Sequence, residues 1–234
     1  MSETLWDPAW ILDHAIDFSM HAFRMVETQH IAATMRLVDT ADEQDLLEHM
    51  LEVSKPRLPS EAIGLHYLLA APFRYVPHTG SRFRSVNTLG IWYGADDRYC
   101  ACAEIAYWRQ RFLLDSVGLM RQQLSTEHSM YQAVVNGRAI DLLSSPWTEA
   151  QVHWQHQSDY TETQKLGKLV RESGEVAWIR YGSIRASGHA CAAVFDPRSL
   201  SMFSADGQFE QWHCHTTYDK VTFSNGRARF DFSY

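Results

Sequence analysis

The stretch Gly90-Ile91-Trp92-Tyr93-Gly94-Ala95-Asp96-Asp97-Arg98-Tyr99-Cys100-Ala101-Cys102-Ala103-Glu104 changes from strand-like to helix-like sequence within fifteen residues. Its apolar and aromatic start predicts a buried strand over 89–93. The two aspartates that follow can cap a helix predicted over about 98–114, whose alanines and large apolar residues suit a buried position. The stretch therefore predicts a strand that leads directly into a buried helix with Glu104 near its centre.

Patterns on either side of this stretch predict further helices. Thr40-Ala41-Asp42-Glu43 is a capping box, and the leucines after it recur at helical spacing, which predicts a helix over 41–53. Helices are also predicted over about 147–157, after a proline, and over about 160–173, where Gly174 is a suitable C-terminal stop.

Turn and strand signals predict the rest of the fold. Asn136-Gly137, Asp206-Gly207 and Asn225-Gly226 are dipeptides that tight hairpin turns prefer, so three hairpins are expected. Strands are also expected around 23–26 and over 190–195. Together the elements predict an α+β fold with a mixed, mostly antiparallel sheet and flanking helices.

Nothing in the sequence marks a domain boundary, so we expect a single domain over 1–234. Within it we expect a largely helical N-terminal portion over 1–60, a core that carries the motifs over about 65–200, and hairpin strands over 200–234.

Composition and charge exclude several classes of protein. With 234 residues, 45% of them hydrophobic and 21% charged, the chain can bury a core, which excludes a disordered tail or a disulfide-dense mini-protein. Its 21 Lys and Arg against 28 Asp and Glu give a net charge of −7, so direct nucleic-acid binding is not expected. No apolar run is long enough to span a bilayer, and the N-terminus lacks a secretory signal, which predicts a cytoplasmic protein with no membrane contact.

The cysteines and histidines give weak signals for a metal. The four cysteines show no paired spacing, which favours free buried thiols in a reducing compartment. His213-Cys214-His215 would place two histidines on one face of a strand, but no third and fourth ligand stand at a matching spacing. We therefore predict no metal.

Arginines and aromatic residues are interleaved between Pro72 and Arg111. Guanidinium groups pair with phosphates and aromatic rings stack on bases, so this composition suits a nucleotide pocket. It equally suits a solvated basic face above an aromatic core, and spacing alone does not decide between the two. The common nucleotide and hydrolase signatures are absent.

Five motifs in a fixed order carry a resemblance to a known family. They are Phe73-Arg74-Tyr75, Gly80-Ser81-Arg82-Phe83-Arg84, Gly90–Ala95, Ala101-Cys102-Ala103-Glu104 and Tyr181-Gly182-Ser183-Ile184-Arg185. Together they resemble the RES domain, the toxin half of bacterial Xre–RES toxin–antitoxin pairs, over about residues 20–200. Many family members have Gly-Gly-Arg-Trp-Asn where this chain has 80–84, so Arg84 replaces the asparagine. The helix predicted over 41–53 resembles an insertion.

The resemblance implies a fold similar to ADP-ribosyltransferase toxins and cleavage of NAD⁺ between nicotinamide and ribose. NAD⁺ would be a consumed substrate, with no other cofactor. Glu104 would stabilise the oxocarbenium-like sugar of the transition state and steer the nucleophile. Arg82 would clamp the pyrophosphate, and Ser183 would hydrogen-bond the nicotinamide ribose or the carboxamide.

The resemblance also implies residues that bind the substrate without reacting. Tyr93 would stack on nicotinamide or close the pocket wall. Arg24 and Arg74 are secondary candidates, either for phosphate binding or for a structural role, and Arg84 joins them because of its place in the second motif.

Three functions remain open at this point. The first is a toxin that passes ADP-ribose to water or phosphate and arrests growth by depleting NAD⁺. The second is an ADP-ribosyltransferase that modifies a protein or RNA, although Cys102 stands where such enzymes often carry a polar residue. The third is an inactive binding module. The family implies an antitoxin with an Xre-like helix-turn-helix domain that covers the cleft, and a homodimer within that complex is compatible with the sequence.

Overall fold

The computed structural model describes residues 6–28, 37–119, 122–204 and 208–234. Its helices are α1 (Trp10–Asp13), α2 (Ala41–Ser54), α3 (Tyr67–Arg74), α4 (Arg98–Asp115), α5 (Gln151–Trp154) and α6 (Thr161–Ser173). Its strands are β1 (Ile16–Glu27), β2 (Trp92–Ala95), β3 (Leu124–Asp141), β4 (Trp178–Gly182), β5 (Ala190–Val194), β6 (Leu200–Met202), β7 (Glu210–Thr216), β8 (Val221–Ser224) and β9 (Arg229–Phe232). Short 3₁₀ turns lie at Ser60–Ala62, Trp147–Ala150 and Pro197–Ser199.

The strands form a mixed sheet in the order β1-β2-β5-β4-β3-β7-β8-β9. The β3–β4 pair is parallel and the other described pairs are antiparallel. Because β1 also pairs with β3 along its whole length, β1, β2, β5, β4 and β3 close into a ring. The α+β class and the mostly antiparallel sheet predicted from the sequence are therefore confirmed.

Several local predictions are confirmed. The Thr40–Glu43 capping box is present and begins α2, while Gly174 ends α6 in the left-handed conformation with φ 66°. The turn at Asn225-Gly226 joins β8 to β9. The segment predicted over 147–157 forms a 3₁₀ turn followed by α5.

Two predictions are wrong: the helical character of the N-terminal portion and the hairpin turn at Asn136-Gly137. Over 6–28 and 37–60, the described part of this portion, the chain is not largely helical, because β1 takes up twelve residues and pairs with β3 throughout. Asn136-Gly137 does not reverse the chain but lies within β3, opposite Ser19 and Phe18. Gly137 has a positive φ of 135°, but the chain does not reverse there because the pairing with β1 continues on both sides of it. The Asp206-Gly207 hairpin lies outside the described residues.

The two faces of the sheet carry two apolar clusters. Alternation along β1 places Phe23 and Met25 in a cluster with α4, α5 and α6, and Met20 and Ala22 in a cluster with α3. β2 follows the same rule, with Trp92 on the α3 side and Tyr93 on the α4 side. Side chains that face α4 are therefore the ones that can form a site with Glu104.

The connection between β2 and α4 is fixed by two aspartates. Asp97 caps α4, since its Oδ1 accepts from the Tyr99 N–H at 2.7 Å. Asp96 instead accepts from the Ala190 N–H at 2.7 Å, which ties the end of β2 to the start of β5. Only two residues therefore separate β2 from α4, and the helix is held against the strands that it follows.

The described residues hold no group of three or more His, Cys, Asp or Glu side chains that could bind a metal. Cys100, Cys102, Cys191 and Cys214 are buried free thiols. None of the helices in the described ranges combines the length and the hydrophobicity that crossing a membrane requires.

His128 generates a prediction about stability. It is 2% exposed on β3, its ring packs edge-on against Phe223 at 5.4 Å, and burial together with the nearby charge of Arg109 lowers its pKa to about 4. In the unfolded chain a histidine titrates near pH 6.5, so between about pH 6.5 and 4 the unfolded state binds a proton that the folded state does not. Stability is therefore lost as the pH falls through this window.

We expect the variant His128→Gln, whose side chain stays neutral, to lack this loss of stability at low pH. Between about pH 7 and pH 4.5 the wild type should lose roughly 2–3 kcal/mol more of its unfolding free energy than the variant does. Urea unfolding of both proteins at the two pH values measures the difference. An equal loss in the two proteins would show that His128 does not carry the effect.

Candidate active site

A cavity of about 510 Å³ lies between α4, the edge of β2 and β5, and the segment 79–84. This volume falls within the range of small-molecule sites. Its lining residues come from six parts of the chain: Phe23–Met25, Thr79–Arg82 with Arg84, Tyr93–Ala95, Ala101 with Glu104, Ile105 and Trp108, Tyr160, and Tyr181 with Arg185 and Cys191.

Glu104 lies on the face of α4 that borders the cavity, and Ser183 fixes it. The Ser183 hydroxyl donates to Glu104 Oε1 at 2.7 Å and accepts from the N–H groups of Arg185 and Ala186 at 3.1 and 3.0 Å. Since those two N–H groups take up the lone pairs of the serine, its proton is directed to the carboxylate. Cys191 Sγ lies 4.0 Å from the same oxygen.

The structure thus brings Ser183 to Glu104 and not to the cavity surface. Ser183 is 8% exposed and is not among the lining residues. Its hydroxyl donates to the Glu104 carboxylate, whereas the family resemblance implied that it would meet the ribose or the carboxamide. One oxygen of Glu104 is held by the protein while the side chain borders the cavity.

Tyr93 holds the loop that carries Arg82. Its hydroxyl accepts from the Phe83 N–H at 3.1 Å and lies 2.9 Å from Ser81 Oγ. Burial raises the pKa of Tyr93 to about 12, so the hydroxyl keeps its proton at neutral pH. Reciprocal backbone bonds between Ser81 and Arg84 close the loop. Tyr93 therefore forms part of the pocket wall and also supports the arginine loop.

Arg82 lies on the cavity surface with a defined orientation. Its Nη1 donates to the carbonyls of Trp154 and His156 at 3.0 and 3.1 Å, and its guanidinium lies 4.7 Å above the Tyr160 ring. These contacts fix the planar group beside the cavity, which suits it for binding an anion.

Arg24 and Arg84 line the cavity in more structural positions. Arg84 is 7% exposed and donates to the carbonyls of Thr79, Pro77 and Ser85, so it holds its own loop together. Arg24 donates to the Tyr93 carbonyl at 2.9 Å and lies 5.6 Å from the Trp92 ring, and its Nε is buried without a hydrogen-bond partner.

Arg74 is not brought to this cavity. It lies at the end of α3 and pairs with Glu52 of α2 at 3.1 Å. Two roles were expected for Arg74, phosphate contact or structural support, and its position favours the structural role.

Arg185 is a cavity residue for which the sequence suggested no role. Its guanidinium lies 3.4 Å above the Tyr107 ring and its Nη2 donates to the Gln157 carbonyl at 2.8 Å. It stands two residues after Ser183 in the fifth motif, so the motif contained the signal, but sequence could not show that the side chain returns to the cavity.

The cavity is strongly cationic although the chain is acidic overall. Four arginines line it, and Glu104 is the one carboxylate among the described residues that do so. The hydrogen bonds of Arg82, Arg84 and Arg185 within the described ranges go to backbone carbonyls and not to carboxylates. Because their charges are not neutralised by acidic partners, an anion that enters the cavity is attracted strongly.

Part of the cavity, here called its inner end, is lined by the buried residues Tyr181 and Cys191. Tyr181 and Cys191 are 6% and 2% exposed there, and burial raises the pKa of Tyr181 well above its usual value. The site therefore combines a fixed carboxylate, an arginine-rich surface and an enclosed aromatic end. This combination suits an anionic ligand that carries an aromatic ring and that also has a carbon atom on which positive charge develops during the reaction.

Similarity to known proteins covers most of the chain. The family model described as RES domain matches residues 57–217, which are 161 of the 234 residues. A chain in the crystal structure of the M. tuberculosis MbcT–MbcA toxin–antitoxin complex is similar over 90% of this chain and 92% of that chain, with 12% identity and a TM-score of 0.49. No curated protein matches the sequence.

The electrostatics of the cavity predict binding of inorganic pyrophosphate. At ten times its Kd, pyrophosphate should add about 1.4 kcal/mol of stability and raise the Tm by roughly 3–5 °C. We expect Arg82→Gln and Arg185→Gln each to remove most of this shift, and sodium chloride to weaken it. Differential scanning fluorimetry measures it.

The matched control is Arg74→Gln, which also removes one arginine but from outside the cavity. It should keep the full shift. If all three variants lose the shift equally, pyrophosphate binding reflects overall charge and not this cavity.

Proposed function

The chain belongs to the RES-domain family, and from that premise we propose that it is the toxin of a toxin–antitoxin pair that degrades NAD⁺. The bond that breaks joins nicotinamide to ribose. The observation that carries the proposal is the juxtaposition of Glu104, held by Ser183, with the arginine-lined cavity.

The chemistry of the step accounts for the carboxylate. When the C1′–N bond breaks, its electron pair moves into the ring, so cationic nicotinamide leaves neutral and positive charge develops on the ribose. A carboxylate fixed beside that carbon stabilises the transition state more than the ground state, which is what accelerates a reaction. Glu104 can also accept a hydrogen bond from a ribose hydroxyl or from the attacking nucleophile.

The remaining residues provide binding and orientation. Arg82 and Arg185 pair with the pyrophosphate, the part of NAD⁺ that carries negative charge. Tyr93 forms part of the cavity wall and positions the Arg82 loop, and Ser183 orients Glu104. No metal or resident cofactor takes part in this proposal.

The acceptor of ADP-ribose is water or phosphate in this proposal. Transfer to a protein or RNA is less favoured because Cys102, two positions before Glu104, is fully buried and outside the cavity lining. Burial raises the pKa of the Cys102 thiol, so it stays neutral and cannot activate an acceptor. An inactive binding module is less favoured because Ser183 directs its proton to Glu104, a contact that ligand binding alone does not require.

The partner in this proposal is an antitoxin with an Xre-like helix-turn-helix domain, which covers the cavity in the cytoplasm and binds DNA itself. The net charge of −7 is consistent with a toxin that leaves DNA contact to its partner.

The proposal predicts that the purified protein releases nicotinamide from NAD⁺ and that Glu104→Gln lowers kcat by about 100-fold or more. The variant keeps the size of the side chain and can still bond to Ser183, so it tests the charge. Proton NMR with and without phosphate measures the rate, and the second product identifies the acceptor: ADP-ribose for water, its 1″-phosphate for phosphate.

The control is Glu52→Gln, which removes an exposed carboxylate on α2 and should leave kcat unchanged. Intact NAD⁺ after long incubation with folded wild-type protein would contradict degradation. Labelled NAD⁺ incubated with cell lysate would then show whether a macromolecule is modified.

A further inference from the structure

Trp108 is a cavity residue that the proposed chemistry does not use. It lies on α4 one turn after Glu104, on the same face, and lines the cavity with 51% of its surface exposed. An indole left half in water gives up apolar burial that a core position would provide. Such a ring at the mouth of a cationic cavity is suited to stacking on a base.

The order of groups along α4 indicates which part of a dinucleotide would reach Trp108. Glu104 comes first, Tyr107 with the Arg185 guanidinium 3.4 Å above its ring comes next, and Trp108 lies beside Tyr107 with ring centroids 5.3 Å apart. A ligand with its reacting ribose at Glu104 therefore has its phosphates near Arg185, and the nucleoside beyond the phosphates reaches Trp108.

The inner end of the cavity, opposite Trp108, suits the nicotinamide ring. Tyr181 and Cys191 enclose it, while Trp108 is open to solvent. A leaving group benefits from the enclosed end, where water is excluded, and the distal base can remain partly exposed. Nicotinamide thus belongs at the inner end and the second base at the mouth.

We infer that Trp108 is the stacking surface for the adenine base of the dinucleotide, an inference that rests on the proposed function. The exposed face of the indole takes the adenine ring, and Arg185 between Tyr107 and the cavity sets the distance from the phosphates. The interaction is made equally in the ground and transition states, so it lowers KM and leaves kcat unchanged.

The test compares NAD⁺ with nicotinamide mononucleotide, which has the same bond to break but no adenosine. Trp108→Ala should raise KM for NAD⁺ roughly 10-fold with little change in kcat, and should leave kcat/KM for the mononucleotide unchanged. Trp108→Phe should recover most of the loss, because a smaller ring still stacks.

Phe112→Ala is the matched control. Phe112 is 55% exposed on α4 one turn beyond Trp108 but does not line the cavity, so its removal should change neither substrate's kinetics. If wild type cleaves NAD⁺ and Trp108→Ala behaves like Phe112→Ala, or slows both substrates equally, the inference is wrong and the proposed function stands.

Binding of ADP-ribose distinguishes a failure of the Trp108 inference from a failure of the proposed function. This molecule keeps adenine and pyrophosphate but lacks nicotinamide, and calorimetry measures its Kd without turnover. If wild type releases no nicotinamide, the proposed function fails. A Kd raised roughly 10-fold in Trp108→Ala alone would still support the stacking surface, and an equal Kd in both variants, or no binding, would overturn it.

Discussion

Glu104 lies on the side of α4 that packs against the sheet, where a carboxylate partly removed from water needs a hydrogen-bond donor, and this constraint organises the structure near it. Cys102, Ala103 and Ala106 around it are fully buried, while Glu104 itself is half-buried and borders the cavity. The Ser183 hydroxyl compensates one oxygen, and its own orientation depends on two backbone N–H groups in the turn after β4. The helix, the turn and the cavity are therefore parts of one arrangement.

The hydrogen-bond partners of the cavity arginines leave the cavity positively charged. Carbonyl groups fix Arg82, Arg84 and Arg185 in place without cancelling their charge. Carboxylate partners would have given the same geometry but a nearly neutral surface. The chain can thus have an acidic exterior, which lowers its attraction to nucleic acids, and still offer a locally positive surface to a small anion.

Local patterns in the sequence predicted the parts of the fold that local interactions determine. The capped helix around Glu104, the capping box of α2 and the Gly174 stop each depend on residues close together in the chain. Asn136-Gly137 failed as a turn signal because β1, more than one hundred residues earlier in the sequence, pairs across it. Tertiary pairing overrode a local preference there.

The same distinction applies to the site. Ordered motifs pointed to Glu104, Arg82, Tyr93 and Ser183, and the structure brings all four together. Which of them border the cavity, and which act through a neighbour, depends on side-chain directions that no spacing reveals. Arg74 belongs to the first motif yet faces α2, and Arg185 ends the last motif and faces the cavity.

The position of β5 in the sheet has a consequence for the newly made chain. β5 lies between β2 and β4, although it comes almost one hundred residues after β2, and it contributes Cys191 to the inner end of the cavity. Until β5 has been synthesised, β2 has no neighbour on that side, and until residue 186 has been made the turn that holds Ser183 beside Glu104 is incomplete. Closing so large a loop is entropically costly and slow. Most of the polypeptide must therefore have been synthesised before the pocket can form, and assembly of the sheet itself sets the moment at which the site can first bind a ligand.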